Sequence, residues 1–338
     1  MLYSAITTIQ NPTPSVIGLV RYLHKHDGRL VVAGDSKGPF GYSGPTGEPW
    51  PVDFLSLQHQ EKERFKIVKD LPTKHYARKN IAYLHAIVAG ATSIYETDDD
   101  NTPIESWVPR EESVDSGRLV DKSSSRWVNV YRYFSDENIW PRGLPLDEIR
   151  NAPPESSVIR TPLRAPVQQG LVNGSADVDA IWRLVMDREF FFDHRESVYL
   201  EPGNWCPFNT QSTWWWPVAY PLLYIPSYCS FRMCDIWKSF VAQRCLWALG
   251  LGVVFHAPEV YQDRNIHDLM RDFRDEIPGY DKNRDICRIL EDLDLGSEES
   301  DVSGNLLTCY RALVAKGIFP EKELPLVEAW LQDLLDYR

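Results

Sequence analysis

Three consecutive carboxylates, Asp98, Asp99 and Asp100, close the segment "SIYETDDDN" directly after an apolar run. Side by side they repel one another, so keeping all three ionised is costly unless a cation sits among them. Hard divalent cations such as Mn²⁺ and Mg²⁺ prefer carboxylate oxygens and complete their shells with water and phosphate oxygens. Two or three aspartates at a strand end therefore suit a metal that bridges a diphosphate and stabilises its charge as it leaves. The competing reading is a solvated acidic turn. A further carboxylate, Asp235, lies in "FRMCDIW" at a helix start. It is either a base that takes a proton from a hydroxyl or a helix cap.

Several elements must bring these groups together. "LYSAITTI" and "GRLVVAGDS" read as buried strands, the second ending on Asp35. "SVIGLVRYLHKH" between them has helical spacing, with Ser15 as the expected N-cap. "HYARKNIAYLHAIVAG" places Ile81, Leu84, Ile87 and Val88 on one helical face, Gly90 suits its end, and "ATSIYETDDD" returns as a strand. Strand, helix, strand, helix, strand is the pattern of a parallel α/β sheet, and such sheets bind ligands beyond the carboxyl ends of their strands. Thr7, Thr8, Asp35 and the aspartate cluster all fall near such ends. Farther along, residues 102–160 read as irregular, and "SFRMCDIWKSFVAQRCLWALG" as a long helix. "LGVVFHAP" reads as a buried strand ending at His256, and the chain is helical from about Asn265.

The balance of 36 basic and 48 acidic side chains gives a net charge of −12 with no lysine or arginine block. That argues against a nucleic-acid backbone as partner. A hydrophobic share of 43% is enough for a sizeable core. The six cysteines make no C-x-x-C pair, so buried thiols are expected rather than disulfides or zinc. No run nears the roughly 20 apolar residues that span a bilayer, and "MLYSAITTIQ" lacks the pattern of a signal peptide. The expectation is a soluble protein, cytoplasmic or peripheral to a membrane, with its oligomeric state open.

"KNIAYLHAIVAGATSIYETDDDN" resembles the helix–strand–aspartate segment of the STELLO family of glycosyltransferases. "NVYRYFSDENIWPRGLPL", "QQGLVNGSADVDAIWRL", "PFNTQSTWWWP", "SFRMCDIWKSFVAQRCLWALG" and "QDRNIHDL" resemble that family's other blocks in the same order, from about residue 2 to 275. A looser similarity, through the triple aspartate and the helix carrying Asp235 and Trp237, reaches the reversibly glycosylated polypeptides, which act as UDP-arabinopyranose mutases. Both resemblances imply a GT-A, Rossmann-like nucleotide-sugar domain, here over residues 1–275, followed by a C-terminal helical extension over 276–338. Golgi residence, which goes with the membrane anchor of the plant members, is not expected to carry over.

The resemblance also implies roles. The STELLO pattern pairs acidic residues at Asp98 and Asp99, while Asp100 matches the mutase triplet, so the metal set is drawn from all three. His256 or His267 would be a further ligand, and topology favours His256. The resemblance favours Asp235 as the base. From their positions in the sequence, Thr7, Thr8 and Asp35 either hold the nucleoside or cap strand ends, Arg78 and Lys79 either meet the diphosphate or lie on a solvated helix face, and Asp98 counts among both the metal and the nucleotide-sugar residues. Arg142, Asp177 and Asp179 would position donor sugar or acceptor, and Trp214, Trp215 and Trp216 would form an acceptor wall or part of the core. The implied activity is transfer of a sugar, with inversion, from a UDP-sugar or related donor to a carbohydrate or glycolipid hydroxyl. A UDP-sugar mutase and a non-catalytic scaffold are the alternatives.

Overall fold

In the computed structural model, which describes residues 1–45, 50–123, 126–263 and 268–336, the first apolar runs become strands covered on both faces. β1 (Leu2–Thr7) and β2 (Arg29–Ala33) pair in parallel. Tyr3, Ala5, Val31 and Ala33 join one core, and Leu2, Ile6, Leu30 and Val32 the other. A strand buried on both faces has no polar side to show, which is why these segments read as continuous apolar runs. α1 (Pro14–Lys25) covers the second face. Its N-cap is Thr13 rather than Ser15: the Thr13 hydroxyl accepts from the Val16 amide, and Pro14 takes the first helical position that its fixed φ suits.

β3 (Val52–Leu55), α2 (Leu57–Lys62), α3 (Lys79–Val88) and β4 (Ser93–Thr97) extend the parallel half. They are followed by β5 (Asn101–Pro103), β6 (Arg118–Val120), β7 (Ser157–Val158), β8 (Val167–Gly174) and α4 (Ala180–Met186). After these come β9 (Val198–Leu200), β10 (Ser212–Trp215), α5 (Cys234–Ala248) and β11 (Val253–Gln262). The resulting 11-stranded sheet has the order β3-β2-β1-β4-β10-β8-β11-β9-β6-β7, with β5 paired to β11. β10 runs antiparallel between β4 and β8, while β8 and β11 are parallel. The carboxyl ends of β1, β2, β4, β8 and β11 and the amino end of β10 therefore open on one edge. This is an α/β architecture around a mixed sheet whose first four strands, β3-β2-β1-β4, are all parallel.

β11 is longer than the sequence reading allowed. His256 pairs with Gly170 and Val260 with Val172, so the register shifts around Pro258. A bulge is one of the few places where a strand tolerates proline, and the strand continues to Gln262 instead of stopping near His256. On β10, Trp214 packs in one core, Trp215 in the other, and Trp216, which follows the strand, joins Trp214. All three are core residues, and none forms an acceptor wall.

The chain closes with α6 (Leu269–Glu291), α7 (Val302–Ala315) and α8 (Leu324–Asp336). Residue 275 lies inside α6. Cys287, Leu306 and Trp330 from these helices belong to the same core as Ile94 of β4 and Phe240 of α5. Asp333 of α8 accepts from the backbone amides of Lys66 and Ile67 at 2.7 and 3.0 Å, tying the last helix to the segment after α2. The cysteines are free thiols, mostly buried. Among the described residues no helix is long and apolar enough to cross a membrane.

Candidate active site

A cavity of about 470 Å³ opens on the shared strand edge. Thr7 and Thr8 reach it from β1, Asp35 from beyond β2, and Asp98, Asp99 and Asp100 from beyond β4. Thr210 and Gln211 precede β10, Asp177 follows β8, Gln262 ends β11, and Arg232, Cys234 and Asp235 come from the start of α5.

The three aspartates turn to different partners. Asp98 Oδ1 accepts from the Tyr76 hydroxyl at 2.6 Å and from Lys79 Nζ at 3.0 Å. Lys79 is fully buried behind it and also donates to the Thr97 carbonyl at 2.5 Å. Asp99 accepts from the Thr8 hydroxyl, and Asp100 from Gln262 Nε2 at 3.0 Å. Burial, with Asp98 adding to it, raises the pKa of Asp99 and pushes Asp100 up to about 7. One buried lysine against three carboxylates leaves a negative surplus in a partly desolvated place, and every donor there is a hard oxygen. Among the described residues no three His, Cys, Asp or Glu side chains converge as a metal cluster. Two carboxylates are enough for Mn²⁺ or Mg²⁺ when phosphate and water supply the other ligands, so the residues present fit such an ion.

A pH effect follows from Asp100. Its folded-state pKa, about 7, lies above the ordinary carboxylate value, so the folded protein holds this proton more tightly than the unfolded chain does. The stability this contributes is present at acid pH and is lost as the pH rises through 7. Thermal melts of the metal-free protein should therefore show Asp100→Asn gaining on the wild type between pH 5 and pH 8. A difference that does not change with pH would contradict this.

Cationic side chains share the cavity with the acid cluster: Lys37, Lys74, Arg142, Arg183 and Arg232 line it, Arg142 and Arg232 with carboxylates of their own in Asp177, Asp235 and Glu276. Asp35 helps to place one of them. Its carboxylate accepts from the amides of Ser36 at 2.5 Å, Lys74 at 2.8 Å and His75 at 2.9 Å. Burial works against that charge, but the amides outweigh it and lower the pKa. The loop bearing Lys74 and Tyr76 is thereby fastened to the end of β2. Thr7 donates to the Ala33 carbonyl at 2.9 Å, holding β1 to β2 at the cavity floor.

Arg142 is a buried hub. It grips Asp177 through Nε and Nη2, both at 2.9 Å, and Asp235 through Nη1 at 2.9 Å and Nη2 at 2.7 Å. Burial opposes the guanidinium charge, but the two aspartates outweigh it and raise its pKa further. Asn209 Nδ2 donates to Asp177 at 2.8 Å. Asp235 sits in the first turn of α5 without capping it, since the N-cap position is Met233. The residue after the hub, Gly143, has φ +93, and a Cβ there would stand 2.5 Å from Ile236 Cγ2, next to Asp235. Gly143→Ala should destabilise the fold by about 1–3 kcal/mol and displace Arg142 from Asp235. Denaturant titration together with a transfer assay checks both, and an unchanged midpoint would contradict the prediction.

Other expected site residues lie elsewhere. Arg78 is buried, with Nε 2.9 Å from Gln60 Oε1 and Nη1 3.2 Å from the Leu71 carbonyl, so it braces a loop and does not reach a diphosphate. Asp179 caps α4 through the Trp182 amide and accepts from Trp140 Nε1, each at 2.8 Å, and burial lifts its pKa to about 6. His256 is buried in mid-strand, outside the cavity lining, with Nδ1 2.7 Å from Ser197 Oγ and Nε2 2.9 Å from Gln168 Oε1. The residue at the end of β11 is Gln262. Burial lowers the pKa of His256 well below its ordinary value, as does Arg110. His267 lies outside the described residues. Conversely, Tyr76, Lys74, Arg232 and Gln262 line the cavity although no motif in the sequence marks them. Tyr76 stands three residues before Lys79 in "HYARKN", one helical turn away, a spacing that could have paired the two.

Residues 232–338, from the cavity-lining Arg232 to the chain's end, match the family model described as STELLO glycosyltransferases. Over these residues the chain is similar to the STELLO family. It is 28% identical to "Probable glycosyltransferase STELLO1" of Arabidopsis thaliana, over 83% of this chain and 38% of that protein. With "Probable glycosyltransferase STELLO2" of the same plant the identity is 26%, over 98% of this chain and 44% of the relative. The chain thus spans less than half the length of the curated proteins it matches. The family match includes the helices after residue 275, where the blocks read from the sequence had stopped.

Proposed function

We propose that the protein is a metal-dependent glycosyltransferase with a GT-A-type domain. It would move a sugar from a nucleotide-diphosphate donor, UDP-sugars foremost, to a hydroxyl of a carbohydrate or glycolipid, with inversion. The observation that carries this reading is the meeting of the Asp98–Asp100 cluster with Lys37 and Lys74 in one strand-edge cavity. Asp98 and Asp100 are the residues to hold Mn²⁺ or Mg²⁺, which when bound supplies charge stabilisation at the departing diphosphate.

The chain's own groups do the rest. Lys37 and Lys74 take up phosphate charge through charge-assisted hydrogen bonds, while Arg232 is held by Glu276, its Nε and Nη2 donating to that carboxylate at 3.0 and 2.9 Å. Thr7 and Thr8 border the nucleoside side, where Asp35 fixes the Lys74 loop. Asp235 is held in one orientation by Arg142. Its Oδ1 accepts from Arg142 and the Ile236 amide, while Oδ2 accepts from Arg142. A carboxylate oxygen has a second lone pair, and that of Oδ2 is available to an acceptor hydroxyl whose proton Asp235 removes.

The grip of Arg142 on both oxygens favours one other reading, a UDP-sugar mutase, because ring interconversion needs no base for an external acceptor. Chromatography after incubation with UDP-sugars, Mn²⁺ and an acceptor panel separates the two. Free UDP with a glycosylated acceptor supports transfer, and an isomerised UDP-sugar with no acceptor product supports the mutase. Full transfer by Asp235→Asn would end the base role.

A further inference from the structure

A sugar-transfer site needs an apolar surface for a ring as well as charge for a diphosphate, and the tryptophans of β10 cannot supply it from the core. We propose that Phe231 is a stacking platform for a neutral pyranose at the mouth of the cavity. The proposal rests on reading this cavity as a sugar-transfer site and identifies where the acceptor's ring is recognised.

Phe231 is 56% exposed, and it lines the cavity, which the more exposed Phe40 and Phe191 do not. The turn that carries it is fixed from three sides. Ser230 Oγ donates to the Asp275 carbonyl, Arg142 Nη1 to the Arg232 carbonyl, and the Cys234 thiol lies 3.2 Å from the Phe231 carbonyl. The ring meets Tyr76 edge to face, with centroids 5.9 Å apart at 79°. Tyr76 in turn donates to Asp98 at 2.6 Å. A ring resting on Phe231 is therefore one side chain away from the acid cluster, and Asp235 lies one helical turn farther along the chain.

Pyranoses offer an apolar C–H face and a rim of hydroxyls. An aromatic ring suits the face, and a few placed polar groups such as Asp235 and Gln211 of the same lining suit the rim. An aromatic ring held on a fixed turn and left exposed beside the charged side chains of this cavity is explained by a ligand with that two-sided chemistry. It is not explained by folding, because the ring contributes little to either core.

The test is saturation-transfer-difference NMR with cellotetraose, maltotetraose, mannotetraose and xylotetraose, each with UDP and Mn²⁺ present. The wild type should transfer saturation to at least one tetrasaccharide, most strongly to its ring-face protons. Phe231→Ala and Phe231→Leu should each lower that signal at least fivefold, and Phe231→Trp should keep at least half of it. Leucine preserves apolar bulk without an aromatic face, and the exposure of the position leaves all three variants free to fold. Equal signals in Phe231→Ala and wild type would overturn the proposal, as would no signal from any of the four sugars in the wild type. The UDP-dependent thermal shift is read in parallel and should not change in the variants. Its absence from every sample, wild type included, would remove the donor reading and leave the Phe231 result to be judged by itself.

Discussion

Asp100→Asn will lower sugar transfer by about 10²–10³-fold, the range seen when one group that stabilises transition-state charge is removed, and will stabilise the metal-free protein at pH 8. The opposite signs are the point. Asp100 is partly buried beside Asp98 and Asp99, with Gln262 as its hydrogen-bond donor, so ionising it costs folding energy. A site that holds such a carboxylate sacrifices stability for function. Asp98→Asn should lose activity to the same degree but should also lower stability. It would leave Lys79 Nζ, fully buried, without its carboxylate. Comparing kcat/KM and urea midpoints for the two variants separates a metal-holding role from an acidic turn. A turn predicts that both variants transfer as well as the wild type.

Arg142→Met will cost about 3–5 kcal/mol of folding stability, the penalty for stranding buried charge by removing one partner. Here both Asp177 and Asp235 would be stranded, each gripped by two guanidinium nitrogens in the intact protein. Arg142→Lys should recover only part of the loss, because a single ammonium cannot reproduce two bidentate contacts. Adding Asp177→Asn to Arg142→Met should restore some stability, since an amide needs no counter-charge. If Arg142→Met shifts the urea midpoint by less than a tenth, the hub does not hold the α5 start to the sheet edge.

The sequence made the floor of the cavity readable and left its walls obscure. β1, β2 and β4 were legible because strands buried on both faces leave unbroken apolar runs, and whatever follows such a run stands at the ligand edge. That logic placed Thr8, Asp35 and Asp98–Asp100. It failed on β11, where Pro258 looks like a stop and is accommodated by a bulge, so attention fell on His256 instead of Gln262. Arg78 and Asp179 misled for another reason. A polar side chain near a motif has the same letter whether it faces the cavity or caps a neighbouring element, and only tertiary packing decides. The Arg142 hub joins residues 35 and 93 positions apart, a pairing that no local periodicity can carry. Tryptophans invite a stacking role, yet alternation along β10 sends them into both cores.

Metal-dependent nucleotide binding at the aspartate cluster is tested by a thermal-shift screen of UDP, GDP, CDP and CMP with and without Mn²⁺, on the wild type and Asp100→Asn. A ligand that binds only the folded state raises stability by RT ln(1 + [L]/Kd), about 2.7 kcal/mol at a hundredfold excess over Kd. One nucleoside diphosphate, UDP foremost, should raise the melting temperature only with Mn²⁺ present, and Asp100→Asn should abolish the rise. No rise with any nucleotide, or a rise indifferent to both Mn²⁺ and Asp100, would contradict it.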